Sequence, residues 1–541
     1  MAAPRRNLLF IMCDQLRWDY LSCAGHKTLR TPNIDRIAAR GVRFTNAYVQ
    51  SPICGPSRMS IYTGRYASSH GATANFVPLR VGERNIGDHL RPLGVRPVLV
   101  GKTHMIPDLA GMARLGINPD SPEGLHHREA GFDVFERDDG VHPDRMIKGP
   151  SPYMKYLRDR GHGGENPWHW AANSVRTDAG VRSGFYNDIA DRPAIVAEED
   201  SETPYMTRRA MDFLAQDDGE TPWLLHLSYI KPHWPYIAPA PYNALYGPDD
   251  VQPPVRSEAE LTDQNPLMRH FVDRVAGRTF AREHALEKVV PTYMGLIKQI
   301  DDQLGELFTF MEDRGLWDTT TIVLTSDHGD YLGDHWMGDK DYFHDPAVKV
   351  PLIIADPDPA LDSTRGTTSD ALVQAIDLLP TFVEHFGGTP AAHILDGVSL
   401  YPLLRGAATA VNAHAISEYD YHQQVFAPET GRGPRDSRIY MIVTHHWKLI
   451  HAPGFDPVLF DRENDPDELT DLGRSPDHQD AVHEMRSHLG DWALAYRQRE
   501  TYSDADAVRM QGFEERSGVL IGYWDESDLI DVANALLGRD A

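Results

Sequence analysis

Short, unbroken apolar runs recur along the chain and give its first outline. Leu8–Met12 is apolar at every position, as are Val98–Val100, most of Trp223–Tyr229, Ile322–Leu324 and, around one proline, Val350–Ile354. Runs of this length with no polar residue at alternate positions predict strands buried on both faces, as in parallel sheets. Elsewhere the apolar spacing is helical. Thr31–Gly41 predicts a complete helix, with Thr31 as N-cap, Pro32 at the first helical position, Asp35 in the first turn, Ile34 and Ile37 facing a core and Gly41 as terminator. Tyr293–Gly315 predicts a long amphipathic helix with Leu296, Ile300, Leu304, Leu307 and Met311 on one side. Strands alternating with helices predict an α/β fold with a mostly parallel central sheet flanked by helices.

Two regions break this rhythm. From about residue 105 to 203 the chain is rich in Gly, Pro, Asp, Arg and His with weak periodicity, which predicts an irregular insertion over the site, where substrate choice is expected to lie. Its histidines His126, His127, His162 and His169 lack metal-ligand spacing. From about residue 410 the texture changes to short strand candidates, Met441–Val443, Trp447–Ile450 and Val458–Asp461, followed by a closing helix, which predicts a small antiparallel α+β unit. At 541 residues, two domains are expected: a catalytic domain over 1–409 and a small one over 410–500. A tail over 501–541 carries Val519–Trp524, a segment suited to packing on a neighbouring subunit in a homo-oligomer.

The net charge of −26 and the lack of a long basic run exclude nucleic acid and anionic membrane as partners, so an anionic substrate must meet a local positive site. The three cysteines, Cys13, Cys23 and Cys54, make no disulfide framework and fit a reducing compartment. Asn7–Met12 is too short for a secretory core, and no stretch approaches membrane-spanning length, so a soluble cytoplasmic protein is expected.

Candidate chemistry gathers where the apolar runs end. Asp14 follows the first run and reads as either a ligand or a turn cap; Lys102 and His104 follow the second with a spacing that puts both on one face if the strand continues. His233 follows the third, and Asp327 and His328 close the fourth, offering a carboxylate and an imidazole side by side to a divalent cation. Cys54 lies in Cys54-Gly55-Pro56-Ser57-Arg58, read as a turn with Ser57 as N-cap of a short helix closed near Gly64. A thiol just ahead of a helix N-terminus and near an arginine is an activated nucleophile or, alternatively, a buried structural cysteine.

The string Cys-x-Pro-Ser-Arg followed by Thr63-Gly64-Arg65 resembles the signature of the sulfatases of the alkaline phosphatase superfamily. The resemblance extends from Asp14 to Leu472 and implies that superfamily's fold. It implies that a formylglycine-generating enzyme oxidises Cys54 to formylglycine, whose hydrate attacks sulfur or phosphorus and then releases the product by C–O cleavage. It also implies a metal site of Asp14, residue 54, Asp327 and His328. Calcium is the expected ion, with manganese or magnesium as alternatives because Gln15 stands where many sulfatases have a second aspartate. The same resemblance assigns Arg58, Lys102 and Lys340 to positive charge around the reacting centre, His104 to the formylglycine hydroxyl and His233 to the leaving-group oxygen. Asn75 resembles a substrate-contacting residue of phosphonate monoester hydrolases, or is a plain turn residue. Those hydrolases carry tyrosine and threonine where this chain has Lys102 and His104, so the pair sides with the sulfatases. The expected reaction is hydrolysis of small sulfate esters of the arylsulfatase type; the alternative is hydrolysis of phosphonate monoesters or phosphodiesters at the same site.

Overall fold

The strand Asn7–Asp14 (β1) is buried along its whole length because it runs through the middle of an eight-stranded sheet. The computed structural model describes residues 7–146, 149, 151–495, 501, 503–517, 524 and 527. Of the Val519–Trp524 segment, only Trp524 is among them. The other strands of the main sheet are Val42–Tyr48 (β2), Arg96–Gly101 (β3), Asp133–Arg137 (β4), Trp223–Pro232 (β5), Thr320–Ser326 (β6), Leu352–Ala355 (β7) and Thr367–Gln374 (β8). Their order is β8-β2-β7-β6-β1-β5-β3-β4, and β7 alone runs antiparallel to its neighbours. In register, Cys13 lies opposite Ser326 on one side and Tyr229 on the other. The carboxyl ends of β1, β5 and β6 therefore share one edge, the place where open α/β sheets assemble sites.

Side chains of β1 alternate between two cores. Leu8, Phe10 and Met12 join a cluster with Met59, Ile61 and Tyr62 of the helix Cys54–Thr63 and with Leu378, Leu379 and Phe382 of the helix Leu378–His385. Leu9, Ile11 and Cys13 point the other way, to Ile34 and Ile37 of the helix Pro32–Arg40, to the helix Glu202–Gln216 and to the helix Glu283–Asp313. The sheet is thus covered on both faces, which explains why its strands read as continuous apolar runs.

A second sheet of four antiparallel strands follows: Ala415–Asp420 (β9), Arg438–Val443 (β10), Trp447–His451 (β11) and Val458–Asp461 (β12). One of its faces joins the main core through Ala415, Tyr419, Ile439 and Met441. Its other face, with Ile416, Ile442, Leu449 and Leu459, is covered by Val482, Met485, Leu489 and Trp492 of the helix Gln479–Leu494. Among the described residues, no helix is long and apolar enough to cross a membrane.

Several expectations need correction. The helix bearing Cys54 begins at Cys54 itself, with Ile53 as N-cap, so Ser57 is inside it; Gly55 and Pro56 are first-turn residues, where proline costs no hydrogen bond. The strand before Lys102 stops at Gly101, and His104 has a left-handed backbone (φ 54°), so the two do not share a strand face. The long helix starts at Glu283 and runs through Pro291. Thr31 makes no side-chain cap. Instead Asp301 of the long helix accepts from Asn33 N and Ile34 N, both at 2.9 Å. The region 105–203 is not wholly an insertion, since it supplies the edge strand β4.

Candidate active site

Cys54 sits at the first position of its helix and is 1% exposed, and every residue of that helix is buried. Its Sγ lies 3.0 Å from His328 Nε2, 3.3 Å from Lys340 Nζ and 3.7 Å from Asp14 Oδ1. Four elements far apart in sequence meet here: the end of β1, the Cys54 helix, the end of β6 and the loop after it. Ligand atoms of Asp14, Cys54, Asp327 and His328 all lie within 4.8 Å of one another, and all four residues are buried.

Arg58 holds this cluster from behind. It donates from Nε to Asp327 Oδ2 at 2.7 Å, from Nη2 to Asp14 Oδ2 at 3.2 Å, and from Nη1 to Ser228 Oγ and the Lys102 carbonyl, both at 2.8 Å. With those N–H groups engaged and no exposure, the guanidinium braces the two carboxylates. Lys102 Nζ also pairs with Asp14 Oδ2, at 2.6 Å.

Lys340 donates to Gln15 Oε1 and to His233 Nε2, both at 2.9 Å, as well as reaching Cys54. His233 donates from Nδ1 to the Trp234 carbonyl at 2.6 Å, which leaves its Nε2 to accept. Burial and the Lys340 charge push His233 down to about 4. Burial opposes ionisation of the Cys54 thiol, yet Lys340, Lys102 and His328 overcome it and hold the thiol well below its ordinary value, with His104 adding a hydrogen bond. Burial and Lys340 push His328 down, while Asp327 and Cys54 outweigh them and raise it to about 9. That locus favours positive charge.

The donor set fits a divalent cation. Two carboxylates and an imidazole converge in a buried space, and His328 Nδ1 donates to the Gly329 carbonyl at 2.9 Å, an arrangement that aims Nε2 inward as a ligand. Gln15 is turned to other work. Its Nε2 donates to Asp330 Oδ2 at 2.6 Å, and its backbone N–H donates to Asp327 Oδ1 at 3.1 Å.

Of the residues singled out in the sequence, Asp14, Cys54, Arg58, Lys102, Asp327, His328, His233 and Lys340 come together, and His104 reaches the sulfur from a loop. Asn75 stands at the rim, half-buried, where its Oδ1 accepts from Gly55 N at 2.9 Å and so fixes the start of the Cys54 helix. A side chain at Gly55 would collide with that oxygen at 2.8 Å. Asp139 and Ser228 went unnoticed in the sequence, and Gln15 was noted there only as a neutral residue bearing on the metal. Asp139 accepts from the backbone N–H of Thr103 and of His104 at 2.9 Å each, and Ser228 and Gln15 bind Arg58 and Lys340. Only Gln15 had a local signal, its place beside Asp14.

The sulfatase family profile matches residues 6–388, well over half of the chain. The chain belongs to the sulfatase family. A second profile, the C-terminal region of N-sulphoglucosamine sulphohydrolase, matches residues 333–494. Among the relatives of this sulfatase-family chain, the multifunctional alkaline phosphatase superfamily protein PehA of Trinickia caryophylli is 31% identical, over 92% of this chain and 96% of PehA. An arylsulfatase of Clostridium perfringens is 26% identical, over 89% and 93%. The crystal structure of the phosphonate monoester hydrolase of Agrobacterium radiobacter superposes with a TM-score of 0.78 at 28% identity, covering 92% of this chain and 97% of that one. The architecture, a mostly parallel sheet with a small antiparallel C-terminal sheet, is that of the alkaline phosphatase superfamily.

Proposed function

We propose that this protein hydrolyses sulfate esters, with residue 54, converted from cysteine to formylglycine by a maturing enzyme, as its nucleophile. The observation that carries this reading is the position of Cys54 Sγ, within 3.0–3.7 Å of an imidazole, an ammonium and a carboxylate. As a hydrated aldehyde, residue 54 supplies one hydroxyl for attack and a second whose deprotonation releases the product. Asp14, residue 54, Asp327 and His328 would hold a divalent cation, which would supply Lewis-acid polarisation and lower the nucleophile's pKa. We propose calcium for it, with manganese or magnesium as the alternatives that an imidazole ligand admits.

The remaining work falls to the chain's own side chains. Lys340 and Lys102 place positive charge where the transition state spreads negative charge, a contribution usually worth several kcal/mol. Arg58 orients Asp14 and Asp327 through its bonds to both carboxylates. His104 takes the proton of the second hydroxyl. His233 faces the leaving oxygen with Nε2, and an anionic ester beside that nitrogen would raise its pKa from the low value that burial and Lys340 impose.

A second reading, hydrolysis of phosphonate monoesters, is favoured by the likeness to the Agrobacterium enzyme. The deciding experiment has two parts. The mass of the tryptic peptide Phe44–Arg58, from protein made with the maturing enzyme, should show the aldehyde. Specificity constants on sulfate and phosphonate esters of one phenol should then rank the substrates. A thiol in protein that still turns over sulfate esters would refute the nucleophile, and a higher constant for the phosphonate would establish the second reading.

A further inference from the structure

Lys340 is presented by a loop with an uncommon backbone. Leu332, His335, Trp336, Asp339 and Asp341 all have positive φ, at 46°, 53°, 62°, 64° and 92°. Such conformations are unfavourable for side-chain-bearing residues and persist only where the surroundings enforce them. Two of the five flank Lys340, and both are gripped through their carboxylates.

Asp339 Oδ1 accepts from Trp234 Nε1 at 3.0 Å and from Gln15 Nε2 at 3.3 Å. Asp341 Oδ1 accepts from the Tyr419 hydroxyl at 3.0 Å, and its Oδ2 is ion-paired with Arg274 Nη1. The same Nη1 donates to the Lys340 carbonyl at 3.3 Å, while Nη2 stands 3.8 Å from Asp339 Oδ2. One planar guanidinium therefore spans three consecutive residues with Lys340 in the middle, a task for which a lysine's single ammonium is the wrong shape. Arg274 immediately precedes the short helix Val275–Phe280, and Tyr419 belongs to β9 of the C-terminal sheet, its hydroxyl in turn accepting from Gln424 Nε2 at 2.6 Å. Neither is a member of the Cys54 cluster.

We propose that Arg274 and Tyr419 are positioning residues that hold the Lys340 loop in its left-handed form, so that the ammonium meets residue 54 and the anionic group of the substrate. The C-terminal sheet thereby takes part in building the anion site. This deepens the proposed function and rests on it for the role of Lys340.

The test is a double-mutant cycle between Arg274→Gln and Lys340→Ala, read on an aryl sulfate and by calorimetric binding of inorganic sulfate to the mature protein. Displacing a reacting group by about 1 Å costs on the order of 100-fold, so Arg274→Gln is expected to lower kcat/KM about 10- to 100-fold and to weaken sulfate binding in parallel. In the Lys340→Ala background the same change should cost less than about twofold, because its effect passes through the missing ammonium. Full multiplication of the two losses, or wild-type kcat/KM in Arg274→Gln, would overturn the proposal. Should Arg274→Gln fail to fold, Tyr419→Phe, which deletes a single oxygen, must show the same non-additivity on a smaller scale. A wild-type protein that cleaves no sulfate or phosphonate ester would sink the proposed function, and the sulfate-binding cycle would still decide the clamp.

Discussion

Lys340 donates from Nζ to His233 Nε2 across 2.9 Å, and the same ammonium stands 3.3 Å from Cys54 Sγ. One cation thus connects residue 54, the proposed nucleophile, with the imidazole proposed to face the leaving group. Replacing it should affect attack and departure together. Lys340→Ala is expected to lower kcat by about 100- to 1000-fold, in line with loss of one preorganised charge at a developing anion. Steady-state kinetics with a sulfate ester check this. A normal kcat with only KM raised would reduce Lys340 to ground-state binding.

Arg58 makes a different prediction because its partners are the carboxylates of the proposed metal site. Removing one member of a fully buried ion cluster leaves uncompensated charge, typically at a cost of about 3–5 kcal/mol. Arg58→Met should therefore lower the melting temperature substantially, and an added divalent cation should recover part of the loss by neutralising Asp14 and Asp327. A variant as stable as wild type without added metal would contradict the bracing role read from its bonds at 2.7 and 3.2 Å.

Five of the residues legible in the sequence share one property: each follows an apolar run that the sheet buries. Asp14, Lys102, His233, Asp327 and His328 stand out because a polar group at a buried strand end has few structural reasons to be there. What escaped depends on contacts across long sequence distances. The cap of the helix Pro32–Arg40 comes from Asp301, 268 positions beyond Asn33, and no local pattern announces it. The Cys54 helix starts four residues earlier than its turn-like Gly55-Pro56 pair suggests, since first-turn positions need no N–H. β4 was hidden because Asp133, Glu136 and Arg137 interrupt the apolar pattern at the sheet edge, and β9 because its Ser417, Glu418 and Asp420 are polar yet buried. Arg274 reaches the Lys340 carbonyl, and Tyr419 the neighbouring Asp341, only once segments distant in sequence have folded together.

Metal removal should be visible in stability as well as in turnover. Ligand atoms of Asp14, residue 54, Asp327 and His328 lie within 4.8 Å of one another, and a cation bound there would stabilise the folded state by mass action. Exhaustive dialysis against a chelator is expected to abolish ester hydrolysis and lower the melting temperature, with both restored by an equivalent of divalent cation. Unchanged melting and turnover in protein shown by elemental analysis to be metal-free would set the cluster aside as a metal site.

A second titration lies away from the anion site, in His226. The ring is fully buried, stacked on Phe10 at 4.5 Å; Nδ1 donates to the Phe10 carbonyl at 3.2 Å and Nε2 accepts from the Tyr62 hydroxyl at 2.9 Å. Burial, helped by Arg58, pushes the imidazole down to about 3, and burial does the same to His70, whose Nδ1 accepts from Ala72 N at 3.1 Å. An unfolded chain takes up these protons near pH 6.5, whereas the folded protein refuses them until about pH 3. The contribution to stability is therefore complete above about pH 6.5 and is lost progressively as the pH falls, by up to about 1.4 kcal/mol per pH unit for each histidine. His226→Phe keeps the stack and removes one titration. It should be less stable at neutral pH by about 1–3 kcal/mol, because the Tyr62 hydroxyl loses its acceptor. Its unfolding free energy between about pH 6 and pH 4 should slope less steeply than that of wild type by one proton's worth. Urea unfolding at a series of pH values measures both quantities, and parallel slopes for the two proteins would mean that His226 titrates in the folded state much as it does in the unfolded one.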